Sequence, residues 1–437
     1  VMRVLPIVNE EINEEWISDK TRFSYDGLKF NRIDKPYIKK KNELEECTWD
    51  EALDFIKKRF KKIQGKKMAA ILGNQVDCES IILLKDLFTM IGSDNFLCSQ
   101  NNAIYQSIPR VAYTFNSSIA GIEDSDFCLL IGTNPRLEAT ILNSRIRKAF
   151  INNKTEIFSM NDVGDLTYPY KLINGDTETI KNISEDNHEL SEKIKNSTKP
   201  LIIFGQSSLL LKSFGFIFES LKTFLIKNNK ISDKWNSLNV MSNDASTVGS
   251  FDLGIYKNTN NENEVLKNLQ NNIYEIIYLL GVDNLDFNKK KEFIIYQGSH
   301  GDKGAELADV ILPGAAFTEQ DGHYTNLEGV IQKAYKASYP PGEAKEDWII
   351  INELSNYISS KNLYETKDSL EKNMINYLNL HNSKISVSNK IKNNFIKEKI
   401  AIKDIDYYYS NAIARASKVM SECKNEKIKL NSTGTEG

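Results

Sequence analysis

The sequence predicts an α/β protein in which parallel sheets are flanked by helices, followed by a mostly helical C-terminal region. Three observations carry this. Short, continuously apolar runs recur at 68–72, 126–132 and 201–205; unbroken apolarity over so few residues suits a strand buried on both faces. Between these runs lie segments with apolar residues at helical spacing, the alternation that builds parallel sheets. Beyond Trp348 the strand-like runs stop and polar, helical spacing takes over.

The elements follow in order. Thr48-Trp49-Asp50-Glu51 is a capping box, in which Thr48 caps a helix and Glu51 reaches back. Apolar residues then recur at Trp49, Leu53, Ile56, Phe60 and Ile63, a helix with one buried face. A strand over 68–72 ends at Gly73, and helices are expected over 81–91 and 103–113. The run 126–132 reads as a buried strand leading to a helix over 137–150. Strands are expected over 155–160 and 201–205, the second followed by a helix through 226, and again over 274–281, 293–296 and 309–312. Two stretches break the rhythm. Residues 183–199 are polar and read as a surface loop or weakly packed helix, and 258–272 as a solvated helix or loop. Helices are expected over 348–359 and 367–379. A last one over 406–423 would set Ile413, Ala416, Met420 and Cys423 on one face, with 424–437 frayed.

Composition excludes several functions. A net charge of -3 and a pI near 6.0 offer no basic footprint for nucleic acid. The runs Lys39-Lys40-Lys41 and Lys289-Lys290-Lys291 read as solvated loop charges. The most apolar long stretch, 201–226, is interrupted by Gln206, Lys212, Glu219 and Lys222, so no membrane span is expected and membrane association would be indirect. No Arg-rich, acid-poor presequence or signal peptide is evident. Cys47, Cys78, Cys98, Cys128 and Cys423 are scattered without C-x-x-C spacing, so neither an iron–sulfur centre nor a zinc site is encoded locally.

Three segments are candidates for function. In 13–28 acidic and basic residues alternate with Trp16, Phe23 and Tyr25, which predicts a partly buried, ion-paired segment joining two surfaces; Trp16, Asp19, Arg22, Tyr25 and Asp26 are its candidate interface residues. Gly132-Thr133-Asn134 follows a buried strand and precedes a helix. In an open α/β sheet such a loop lies at the carboxyl edge, where ligands bind, although a plain strand–helix turn needs the same residues. The Gly-rich loop 296–305 carries His300, and His323 follows. Either is a candidate acid–base group or ligand, but a loop histidine bonded to backbone is the simpler reading. No nucleophile–base or paired-carboxylate arrangement stands out.

Residues 3–28 closely resemble a segment of the large iron–sulfur subunit, 75-kDa type, of respiratory complex I (NADH:ubiquinone oxidoreductase). Ala308-Asp309-Val310-Ile311-Leu312-Pro313 through Asn326-Leu327-Glu328-Gly329 is similar to the ADVVLP…E…G…N-x-E-G signature of molybdopterin oxidoreductases. Tyr339-Pro340-Pro341-Gly342-Glu343-Ala344-Lys345-Glu346-Asp347-Trp348 looks like the subunit's P-P-G-x-A-x-E-D-W element, and 404–423 resembles its closing helix. The resemblance is collinear from Arg3 to about Cys423.

The resemblance implies a molybdopterin-oxidoreductase-like fold with Rossmann-like sheets. It divides the chain into a remnant of the N-terminal domain and linker (1–47), interleaved α/β domains (48–345) and a mostly helical region (346–437). The expected function is structural, in the peripheral arm of a proton-pumping NADH:ubiquinone oxidoreductase, with no redox centre on this chain. The 2Fe–2S and 4Fe–4S clusters are expected on the N-terminal part of the subunit, which would make this chain a fragment, a processed product or one half of a split subunit. Expected partners are that iron–sulfur part and other peripheral-arm subunits. The expected location is the matrix side of the mitochondrial inner membrane, or the cytoplasmic face of a bacterial one. The alternative is a molybdopterin-dependent dehydrogenase of the formate-dehydrogenase kind. Such enzymes ligate molybdenum from a loop near 98–103, where Cys98 offers a thiol in surroundings unlike theirs, and Gly132, Thr133 and Asn134 would then cradle the cofactor.

Overall fold

In the computed structural model, which describes residues 1–98, 109–255, 264–285, 287–382 and 394–433, the chain first forms β1 (Tyr37–Lys40), β2 (Glu43–Glu46), β3 (Met68–Leu72) and β4 (Phe96–Leu97). It then crosses to β5 (Phe127–Ile131), β6 (Glu156–Ser159), β7 (Lys171–Leu172), β8 (Pro200–Phe204) and β9 (Leu238–Val240). It returns for β10 (Ile276–Leu280), β11 (Phe293–Gly298) and β12 (Val310–Pro313), and ends its strands with a hairpin, β13 (Gly322–Thr325) and β14 (Ile331–Ala334). Two main sheets result. One has the order β2-β1-β12-β11-β10-β3-β4; the other has the order β7-β6-β5-β8-β9 and is parallel throughout.

The apolar runs are the central strands. Every residue of β3, β5, β8 and β10 is buried, because apolar side chains alternate between two covered faces. On one face of the first sheet, Leu53, Ile56 and Phe60 of helix Trp49–Phe60 join helices Cys78–Met90 and Asp347–Ser359 in one core. Thr48 and Glu51 form the expected capping box. Ile71, Ile277, Leu279 and Tyr296 fill the opposite face, and two further cores enclose the second sheet.

Several expectations change. The boundary at 47/48 falls beside a sheet edge that it would cut off: β1 and β2 are antiparallel strands, with Tyr37 opposite Ile311, so Lys39 and Lys40 lie in a strand. Lys289 is also not a free surface charge, since its Nζ is 2.6 Å from Asp309. The polar stretch 183–199 holds a packed helix, Glu189–Asn196, with Leu190 and Ile194 wholly buried one turn apart. Only its outer face is polar. The helix over 137–150 is two helices, Pro135–Glu138 and Thr140–Asn153, broken at Ala139 where φ is −148° and ψ 73°. Of the stretch 258–272, residues 264–270 are helical; the helix expected over 103–113 lies mostly outside the described residues, and Arg110–Ala112 is a 3₁₀ turn.

The closing helix also divides. Ala412–Ala416 and Lys418–Thr433 meet at Ser417, whose Oγ accepts the Met420 amide at 3.1 Å. Ile413 and Met420 are buried, whereas Cys423 is exposed, and 424–433 continue the helix rather than fraying. The Asp26 carboxylate, from the opposite end of the chain, accepts the amides of Lys418 at 2.9 Å and Val419 at 3.3 Å. A carboxylate on first-turn amides caps the helix and complements its dipole. Asp26→Ala is expected to cost about 0.5–2 kcal/mol, seen in denaturant unfolding, and to speed amide exchange over 418–424.

Candidate functional site

Ligands of open α/β sheets bind where the strand order reverses, at the carboxyl ends. Here there are two such points: between β5 and β8, and between β3 and β10. At the first, Gly132 has φ +61° and its loop lies directly on the loop after β8. A Cβ on Gly132 would stand 2.7 Å from the Ser208 nitrogen, and one on Gly205 2.2 Å from the Thr133 Cβ. The Asn134 side chain takes the Leu137 amide at 3.4 Å and donates to the Val163 carbonyl at 3.2 Å. The loop amides that would face an anion already have one: the Glu138 carboxylate accepts Asn134 N at 2.8 Å and Gln206 N at 3.2 Å. Burial pushes the Glu138 carboxyl up, opposed by those same amides. The loop of Gly132, Thr133 and Asn134 is thus built around an internal carboxylate.

At the second point a Cβ on Gly73 would stand 1.8 Å from the Gly281 carbonyl, so the loops after β3 and β10 are also in contact. Beside them runs a buried polar chain. Gln320 Nε2 donates to Asp77 at 3.0 Å and to Asp347 at 3.1 Å; Gln297 Nε2 donates to Asp347 at 2.7 Å; the Tyr278 hydroxyl donates to Gln297. Burial, then the charges of Glu79 and Asp347, push the Asp77 carboxyl well up, and burial raises Asp347 to about 6. Burial and the Asp283 charge raise Asp244 to about 6. Helix Ala412–Ala416 lies across this edge: Ala412 N donates to Asp283 at 2.7 Å, and Arg415 Nε donates to Asp302 at 2.6 Å. What remains open is a cavity of about 50 Å³ lined by Gln75, Asp283, Gln320, Asp347, Ala412 and Ile413. That holds a water or two. Cys98, which directly follows β4, is buried in the first core.

The opening segment is attached to both halves of the molecule. Buried Arg145, from helix Thr140–Asn153, donates to the carbonyls of Glu10 at 2.6 Å and Ile12 at 3.2 Å and to Glu123 at 2.6 Å; Lys148 pairs with Glu14. Arg32 makes a two-pronged contact with Glu319 and also donates to the carbonyls of Leu28 and Ser299. His300 Nε2 lies 3.0 Å from the Gly27 carbonyl and Nδ1 2.8 Å from Ser299 Oγ, the backbone-bonded role that was the simpler reading of this residue. The ion pairing expected of Asp19 and Arg22 is therefore carried by Arg145, Lys148 and Arg32. Among the described residues Asp19, exposed on the short helix Asp19–Phe23, and Arg22, half-buried on it, form no ion pair. Tyr25 packs beside Leu28, Ala316 and Ile413, and Asp26 caps the last helix. Trp16 is 54 % exposed, and Met2, Leu5, Ile7, Val8 and Phe23 of the segment are exposed as well.

Burial pushes the His300 imidazole down to about 4 from its ordinary 6.5, so the folded chain holds it neutral. The unfolded chain binds the extra proton between those values, so its contribution to stability is complete above pH 6.5 and fades toward pH 4. His300→Gln is expected to flatten the acid limb of stability against pH relative to the parent, read by melting temperature over that window.

Residues 32–357 match the family model of molybdopterin oxidoreductases, and residues 1–26 match that of the NADH-ubiquinone oxidoreductase NDSU1/NuoG-like 4Fe-4S domain. The chain is 38% identical to the NADH-ubiquinone oxidoreductase 75 kDa subunit of Reclinomonas americana, over 97% of this chain and 65% of that protein. It is 39% identical to the corresponding NADH-quinone oxidoreductase subunit of Rickettsia bellii (99% and 63%), and 38% identical to the mitochondrial 78 kDa subunit of Candida albicans (98% and 62%). The chain thus spans slightly under two thirds of the length of these relatives. Among solved structures, acetylene hydratase from Pelobacter acetylenicus shares the fold at a TM-score of 0.50 and 14% identity, covering 97% of this chain and 74% of that one. A chain of the formyltransferase/hydrolase complex of Methylorubrum extorquens does so at 0.55 and 12%, covering 78% and 99%. No helix among the described residues is long and apolar enough to cross a membrane.

Proposed function

The chain belongs to the molybdopterin oxidoreductase family, and from that premise we propose that it is the scaffold part of the large iron–sulfur subunit in the peripheral arm of a proton-pumping NADH:ubiquinone oxidoreductase, complex I. The observation that carries this reading is the near-full-length similarity to relatives that are subunits of that enzyme, at 38–39% identity over 97–99% of the chain.

The family's pterin cofactor carries phosphate, and the residues here do not fit it. At one reversal point Glu138 already takes the loop amides; at the other, Asp283 and Asp347 line a cavity of about 50 Å³ beneath helix Ala412–Ala416. An anion brought there would lose its hydration among carboxylates. This weighs against the dehydrogenase alternative. Residues 1–26, although similar to a 4Fe–4S domain, contain neither Cys nor His to ligate a cluster. In this reading the clusters sit on the polypeptide that precedes the matched scaffold in its relatives. The chain's work is to hold that part and neighbouring peripheral-arm subunits in place, on the matrix side of a mitochondrial inner membrane or the cytoplasmic face of a bacterial one.

Purification of the native assembly through a tag on this chain tests the reading. NADH:quinone activity with bound iron and no molybdenum is expected. One molybdenum per chain would overturn it.

A further inference from the structure

Away from both reversal points, three elements bring donor atoms together. Glu79 lies in the first turn of helix Cys78–Met90, His323 on β13 and Glu371 on helix Lys367–Asn382. One ligand atom from each, an imidazole nitrogen and two carboxylate oxygens, lies within 4.8 Å of the others. Glu79 is 1% exposed and His323 7%. The Glu79 carboxylate contacts the imidazole through one oxygen and accepts the His323 amide at 2.8 Å through the other, which fixes the ring relative to the helix.

The charge around these donors is unbalanced. Two carboxylates face one ammonium, that of Lys333, which stands opposite His323 in the hairpin and lies 3.1 Å from Glu371. Among the described residues, Glu79 has His323 as its ion-pair partner and no Lys or Arg.

We propose that Glu79, His323 and Glu371 form a binding site for a first-row divalent cation of the zinc, iron(II) or manganese class. One nitrogen and two carboxylate oxygens suit such ions and leave positions for water. The cation joins the β13–β14 hairpin to two helices of the first core, and its binding energy adds to the stability of the fold. Lys333 is the internal competitor that holds Glu371 when no cation is bound.

Cobalt(II) titration of the chelator-stripped chain, followed by visible absorption and calorimetry, tests this. One saturable cobalt per chain is expected, with a rise in melting temperature. His323→Ala and Glu371→Gln should each weaken binding by more than about a hundredfold, beyond the loss typical of outer-sphere partners. Lys333→Met should tighten it roughly threefold to fivefold, the most that a partly exposed ion pair is worth. Glu371 and Lys333 are partly exposed, so those two variants test binding without emptying the core. No saturable binding by the parent and Lys333→Met, or binding that survives both His323→Ala and Glu371→Gln, overturns the proposal.

Discussion

Replacing Arg32 with methionine is expected to destabilise the chain by about 3–5 kcal/mol, the cost of leaving one member of a buried ion pair without the other. The guanidinium bonds to both Glu319 oxygens at 2.5 and 2.6 Å, and the two side chains are 10% and 6% exposed. It also holds the carbonyls of Leu28 at 2.9 Å and Ser299 at 3.1 Å. Glu319 in turn accepts the Ala316 amide at 2.9 Å, so the pair ties the end of the opening segment to the loop after β12. Without Arg32 the buried carboxylate has lost its cation. Denaturant unfolding of Arg32→Met, Glu319→Leu and the double variant separates the terms, with the double variant expected to recover much of the loss because neither charge is stranded. Equal instability of all three would mean that the arginine acts through its carbonyl contacts instead.

The second large effect is expected at Arg145. This side chain holds two carbonyls of the opening segment, and hydrogen bonds from a charged donor contribute about 1.5–3 kcal/mol each. Arg145→Met keeps the buried stem and removes the fork, so the loss concentrates on residues 9–14. Faster amide exchange over that stretch is expected, with the central strands of the second sheet unchanged. If the segment is the junction to the iron–sulfur part, this variant should also reduce recovery of the chain in the assembled enzyme while leaving its own core intact. Unchanged exchange over 9–14 would remove Arg145 from that role.

The central strands were legible because a strand buried on both faces must be apolar at every position, a pattern that needs no partner to be recognised. β1, β2 and the β13–β14 hairpin were not. Lys39 and Lys40 in one and Gln332 and Lys333 in the other face solvent, and antiparallel edges tolerate charge, so they lack that pattern. The candidate sites were less legible still. The Gly132 loop stood out by its place after a buried strand, but Glu138 closing it is visible only once Ala139 breaks the helix. Arg32 meets Glu319 across 287 positions and Arg145 meets Glu10 across 135, distances at which charges in sequence carry no register. Asp26 was picked out for the ionic density of its neighbourhood, and its cap on the last helix needed both ends of the chain.

Under the proposed function this chain is a scaffold whose opening segment carries the iron–sulfur part of its subunit. A structure of the intact assembly tests it most directly, read at Met2, Ile7, Trp16 and Phe23, which are 82%, 85%, 54% and 45% exposed in the chain alone. These side chains are expected to be covered by a cluster-bearing domain. Finding them in solvent, with the clusters held against another face of this chain, would contradict that function.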